Sequence, residues 1–150
     1  MIYDVMKKER ENKELTQKEL STMLGISRST YAGWENGFDT ITLHRLNELC
    51  NYLEISLDYM CGISSTQKHK KDIKGEINSK VIGNNLKKIR LRFGHTQSKT
   101  AKLIHTNQSN YSRYERGKNT IPTSLITAFA KNYNVSIDYL CGNKKDSKIV

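Results

Sequence analysis

Apolar residues recur along the first part of the chain at helical spacing, and capping residues cut them into short helices. Ile2, Val5 and Met6 share one face of a helix predicted over about Ile2 to Asn12. Thr16 can cap a second helix, with Glu19 three residues on completing a capping box. Leu20, Met23 and Leu24 form its inward face, and Gly25 ends it, since glycine takes a left-handed position at little steric cost. Ser27 can cap a third helix beginning at Arg28. There Tyr31 and Trp34 are expected to face inward and Arg28, Ser29, Thr30 and Gly33 outward, until Asn36-Gly37 breaks the helix. Thr42 can cap a fourth helix carrying the stripe Leu43, Leu46, Leu49 and Leu53. A short fifth helix is expected from Ser56 to near Met60.

The pattern then repeats. Adding 80 to each number carries Thr16-Gln17 onto Thr96-Gln97, and Ser29, Tyr31, Glu35 and Gly37 onto Ser109, Tyr111, Glu115 and Gly117. The match continues from Thr40-Ile41 onto Thr120-Ile121, and from Ser56, Asp58, Tyr59, Cys61 and Gly62 onto Ser136, Asp138, Tyr139, Cys141 and Gly142. Such self-similarity at a fixed offset marks a tandem duplication, here of two small helical domains. The second copy is expected to place helices over about Ile82 to Arg92, Gln97 to Leu103 and Gln108 to Arg116. Its fourth helix is expected to begin near Pro122, and a last short helix to follow Ser136. The domains are therefore 1–62 and 81–142, with a basic linker at 63–80 and a disordered tail at 143–150. As a flexible coil such a linker has an r.m.s. span of roughly 23 Å.

Charge sharpens the picture. The net charge of +10 points to a polyanionic partner, but it is unevenly spread. Residues 1–62 carry 7 Lys/Arg against 10 Asp/Glu, and residues 81–150 carry 13 against 3. The three cysteines, Cys50, Cys61 and Cys141, show no paired spacing, which argues against zinc and for reduced structural thiols. The histidines lack metal-ligand spacing, and neither a nucleophile motif nor a glycine-rich phosphate loop is present. The chain is expected to be a cytoplasmic non-enzyme that needs no cofactor or metal and contacts no membrane.

Thr16-Gln17, Ser21, Gly25, Tyr31, Trp34-Glu35-Asn36-Gly37 and Ile55-Ser56-Leu57-Asp58-Tyr59 resemble the Cro/repressor-type, or XRE-type, helix-turn-helix family of transcriptional regulators. Thr96-Gln97, Ala101, Tyr111, Tyr114-Glu115-Arg116-Gly117 and Val135-Ser136-Ile137-Asp138-Tyr139-Leu140 resemble it a second time. Departures are His105 in place of the turn glycine, Thr100 and Thr106 in place of Leu20 and Ile26, and Glu9 where Ile89 stands in the other copy. The resemblance implies an all-α fold of two tandem five-helix lambda-repressor-like domains. It also implies a sequence-specific DNA-binding regulator, more commonly a repressor, whose third helix reads bases in the major groove. Arg28, Ser29, Thr30 and Gly33 would do so in the first copy, and Gln108, Ser109, Asn110 and Arg113 in the second. Arginine suits guanine's O6/N7 pair, and glutamine and asparagine suit adenine's N6/N7 pair. Gln17 and Gln97 would bind phosphate and brace the neighbouring helix, and Asn36, Arg116 and Lys118 lie at a second phosphate position. Arg10 with Glu35, and Arg90 with Glu115, would be structural ion pairs. The partner is double-stranded DNA, with a homodimer or another protein as a further partner. In an alternative reading the acidic first copy, flanked by Glu9, Glu11, Glu14 and Glu19, is an interaction or dimerisation module, as in an antitoxin-like regulator.

Overall fold

Small polar caps and left-handed turns cut this chain into helices too short to stand alone, so each must find its stability in packing. The computed structural model describes residues 2–65 and 75–149. The first copy comprises α1 (Ile2–Asn12), α2 (Gln17–Leu24), α3 (Arg28–Asn36), α4 (Leu43–Leu53) and α5 (Leu57–Met60). The second comprises α6 (Ser79–Arg92), α7 (Gln97–Leu103), α8 (Gln108–Glu115), α9 (Thr123–Tyr133) and α10 (Ile137–Leu140). Every regular element among the described residues is a helix.

Local chemistry accounts for the boundaries. The Thr16 hydroxyl accepts the Glu19 N–H at 3.0 Å, and the Glu19 carboxylate accepts the Thr16 N–H at 3.2 Å. That reciprocal pair satisfies two of the donors a helix start leaves open. Gly25, at φ 70°, turns the chain out of α2. In the second copy His105 holds the same kind of turn at φ 64°. Such a conformation costs a non-glycine residue on the order of 1 kcal/mol.

Each copy closes over its own core. Met6, Leu20, Tyr31, Leu46 and Leu49 are fully buried in the first, and Leu86, Ile89, Tyr111, Ile126 and Phe129 in the second. The threonine at position 100 is accommodated by a paired change. Leu20 and Leu53 of the first copy become Thr100 and Tyr133, whose hydroxyls bond at 2.7 Å, and Tyr133 also bonds His95 Nδ1 at 2.8 Å. Glu9 is likewise buried and accepts the Tyr59 hydroxyl at 3.1 Å.

Several expectations need correction. Met23 is 42% exposed rather than inward. Pro122 precedes α9 instead of opening it, because its ψ of 149° is extended. The adjoining Thr123 hydroxyl donates to the Ile41 carbonyl of the other copy. α8 ends at Glu115, with Arg116 as its cap. α6 starts at Ser79, capped by Asn78, whose side-chain Oδ1 accepts the Lys80 N–H at 2.8 Å. Ile77 is buried just before it, so the second copy begins within the stretch expected to be linker. Ile63 and Ser64 are tied to the Asp58 carbonyl at the other end of that stretch. The rest of the expected linker, residues 66–74, lies outside the described residues. Within the tail expected to be disordered, two residues are tied to the fold. Asn143 is buried, and the Ser147 carbonyl accepts the Ser136 N–H at 2.9 Å.

The two copies also touch directly. Leu57 and Asp58 N–H groups donate to the Asp138 carboxylate at 3.1 and 2.9 Å, and the Ser136 hydroxyl and Ile137 N–H donate to Asp58. Asn143 donates to the Asn47 side chain at 3.0 Å, and His44 bonds Thr120 at 2.9 Å.

Candidate nucleic-acid interface

In each copy a turn joins a short helix to a second one with a polar first turn. At the start of α3, Arg28, Ser29 and Thr30 are exposed, while Tyr31 is fully buried and Trp34 is 7% exposed. At the start of α8, Gln108, Ser109 and Asn110 are exposed, as is Arg113, over buried Tyr111 and Tyr114. The aromatic rings that could have stacked on bases are therefore spent on the core.

A chain of polar contacts runs back from each exposed turn. The Arg28 guanidinium donates to Gln17 Oε1 at 3.3 Å, Gln17 Nε2 donates to Glu35 at 2.8 Å, and Arg10 donates to Glu35 at 3.0 Å. Arg10 also donates to the Leu15 carbonyl at 2.8 Å, which ties the end of α1 to the turn after it. The second copy matches it: Gln108 donates to Gln97 at 2.8 Å, Gln97 to Glu115 at 3.2 Å, and Arg90 to Glu115 at 2.6 and 3.0 Å. Each glutamine thus links an exposed residue of one helix to a buried ion pair. Burial raises the Glu115 carboxyl, but bonds from Arg90 and Gln97 outweigh it and hold it below the usual carboxylate range. Arg90 is raised in turn, by its bond to Glu115. Burial raises the Tyr31 and Tyr111 phenols, and the nearby glutamates add to it.

Gly33 is not where the periodicity put it. It is buried under Asp39, whose carboxylate oxygen would stand 2.5 Å from an added Cβ. Phe38 and Asp39 N–H groups both bond to the Gly33 carbonyl, at 3.0 and 3.2 Å, which folds the loop back over α3. The outward position that Arg113 occupies in the second copy is thus covered by an acid in the first. The residues just past the helices differ as well. Asn36, Arg116 and Lys118 are exposed, but the first-copy counterpart of Lys118 is Phe38, which is 85% exposed.

The second copy also carries a cleft of about 430 Å³, lined by Lys80, Asn84, Lys87, Ser112 and Arg116 together with Gln97 and the Arg90–Glu115 pair. Lys80, Asn84 and Lys87 are not among the residues expected from the sequence to form the site. Lys87 is the repeat partner of Lys7, whereas Lys80 falls within the stretch expected to be linker, because α6 begins at Ser79.

The helix-turn-helix family profile matches residues 6–60 and again 86–140, at the same offset as the internal repeat. The chain belongs to this family, with two tandem helix-turn-helix domains of the XRE type. It is 34% identical over 89 residues to the uncharacterised HTH-type transcriptional regulator YqaE of Bacillus subtilis, covering 59% of this chain and 66% of that one. It is 36% identical over 67 residues to the HTH-type transcriptional regulator ImmR of the same organism, covering 45% and 53%. It is 32% identical over 65 residues to the antitoxin PezA of Streptococcus pneumoniae, covering 43% and 41%. The chain therefore spans less than two thirds of the length of each of these relatives. No solved structure matches it. Among the described residues of this helix-turn-helix protein, no helix is long and apolar enough to cross a membrane, and no cluster of His, Cys, Asp and Glu could hold a metal ion.

Proposed function

We propose that this helix-turn-helix protein is a sequence-specific double-stranded-DNA-binding regulator of transcription. It acts in the cytoplasm as a repressor, by occluding a promoter. The carrying observation is the Gln–Glu–Arg chain behind each exposed helix start. It holds Arg28 and Gln108 in place before any ligand arrives, and preorganised donors lose less freedom on binding. Arg28, Ser29 and Thr30 of α3 and Gln108, Ser109, Asn110 and Arg113 of α8 read bases in the major groove. Gln17, Asn36, Gln97, Arg116 and Lys118 contact phosphate, and Lys80 and Lys87 extend that contact in the second copy. Gly33 is left out of this reading, because the Asp39 carboxylate lies over it.

Selection of bound sequences from a random duplex pool tests this reading. A defined motif should emerge. Arg28→Ala and Gln108→Ala should each relax preference at one base position, by roughly 1–3 kcal/mol. A pool that stays random, or unchanged preference in both variants, would remove the recognition-helix assignment.

A second reading is favoured by Phe38. An exposed aromatic beside Asp39, on a copy whose acids outnumber its bases, suits a protein partner better than a phosphate. The named antitoxin among the relatives is compatible with it. In that case the selected motif contains one half-site only, and Arg28→Ala leaves it unchanged.

A further inference from the structure

α5 and α10 have four residues each, too few to hold a helix without outside support. Each receives its support from the opposite copy. Asp138 accepts the N–H groups of Leu57 and Asp58, which open α5. Asp58 accepts the N–H groups of Ile137 and Asp138, which open α10, together with the Ser136 hydroxyl. The two aspartates are 0% and 1% exposed. They are also repeat partners, 80 residues apart. An interface in which group i meets group j and j meets i is isologous, and its two halves are related by a two-fold axis. Here the axis runs between α5 and α10 of one chain.

We infer that Asp58 and Asp138 lock the chain into an internal two-fold dimer, so that α3 and α8 read an inverted pair of unlike half-sites at one fixed spacing. This rests on the DNA reading proposed above. A direct repeat would require one head to turn end over end, which breaks both carboxylate exchanges at once. Those carboxylates and N–H groups are buried, and leaving such groups unpaired is costly. The half-sites differ because the heads differ, Arg28-Ser29-Thr30 against Gln108-Ser109-Asn110. Asp58 and Asp138 touch no DNA in this arrangement, so their role is positioning.

The experiment places the selected half-sites in three duplexes: inverted, direct, and inverted with about half a helical turn inserted. The full chain should bind the first at least about 100-fold more tightly than the others, the lower end of what linked binding supplies. Asp58→Ala with Asp138→Ala should shrink that discrimination to about threefold while affinity for a single half-site holds. Asp58→Asn keeps an acceptor for the Ile137 N–H and should keep the preference. A measurement without DNA guards against variants that fail to fold. Spin labels introduced by Thr22→Cys and Lys102→Cys, on repeat-related positions of α2 and α7, should report one narrow distance in a chain whose half-buried Cys61 is replaced by Ser. A broad distance distribution, or sequence-specific binding that is equally tight on inverted and direct duplexes, overturns the internal dimer. A narrow distance with no sequence-specific binding overturns the DNA reading and leaves the dimer standing.

Discussion

Asp58 shows how a single side chain can work against its own ionisation. Burial, with Asp138 second, pushes its carboxyl up to about 6. The groups facing it from α10 are the Asp138 carboxylate, the Ser136 hydroxyl and the Ile137 N–H, and the Cys61 thiol lies nearby in its own copy. A carboxyl whose folded value is raised contributes stability that is fully present below its unfolded value and is lost as pH rises through the folded one. The urea midpoint of the full chain should therefore rise as pH falls from 7 to 5. Asp58→Asn, which mimics the protonated group, should flatten that rise. A native midpoint that falls over this range would contradict the assignment. Glu115 acts in the opposite sense, but its value is depressed, so its loss falls at more acidic pH. Arg90 and Glu115 could be paired from the repeat and the family resemblance. The aspartate exchange could not, because nothing local indicates that a helix cap will come from 80 residues away.

α6 and α8 approach each other backbone to backbone at Gly83. A Cβ built on Gly83 would stand 2.4 Å from the Glu115 carbonyl oxygen and 2.5 Å from that of Tyr114. Both are backbone atoms at the end of α8, so neither can rotate aside. Gly83→Ala should destabilise the protein by about 1–3 kcal/mol, as overpacking does, and calorimetry should record a lowered Tm. The repeat partner Tyr3 instead lays its ring beside Gly37. Tyr3→Ala should therefore leave α1 seated, and an equal loss in both variants would refute the contrast. Element starts were legible wherever a hydroxyl or amide cap stood before an apolar stripe, as at Thr16, Ser27 and Thr42. The start of α6 was not, because Ser79 and Lys80 carry no apolar signal and rest on Gly117 in the turn after α8.

Across the whole molecule the two copies divide the electrostatic work unequally. The basic cleft of Lys80, Lys87 and Arg116 belongs to the second copy, and Phe38 replaces Lys118 in the first. Affinity for duplex DNA should fall linearly with salt on logarithmic axes, and Lys87→Ala and Lys118→Ala should each reduce the slope by about 0.9. Lys7→Ala should change it less. Equal changes at Lys7 and Lys87 would show that both heads carry phosphate alike.

The helices of the described residues in their order, most of their caps, and the exposure of Arg28 and Gln108 follow from short-range pattern, since helix periodicity and capping act over a few residues. Tertiary structure alone decided three things. Asp39 folds over Gly33, because the loop after α3 bonds back to that residue's carbonyl. Thr100 can be buried in the second core, because Tyr133 arrives from α9 with a hydroxyl. The copies are held as a two-fold pair rather than as beads on a flexible linker, because Asp58 and Asp138 each complete the other's helix start. Each of these depends on a partner distant in sequence. A repeat shows that two such surfaces exist but not that they meet.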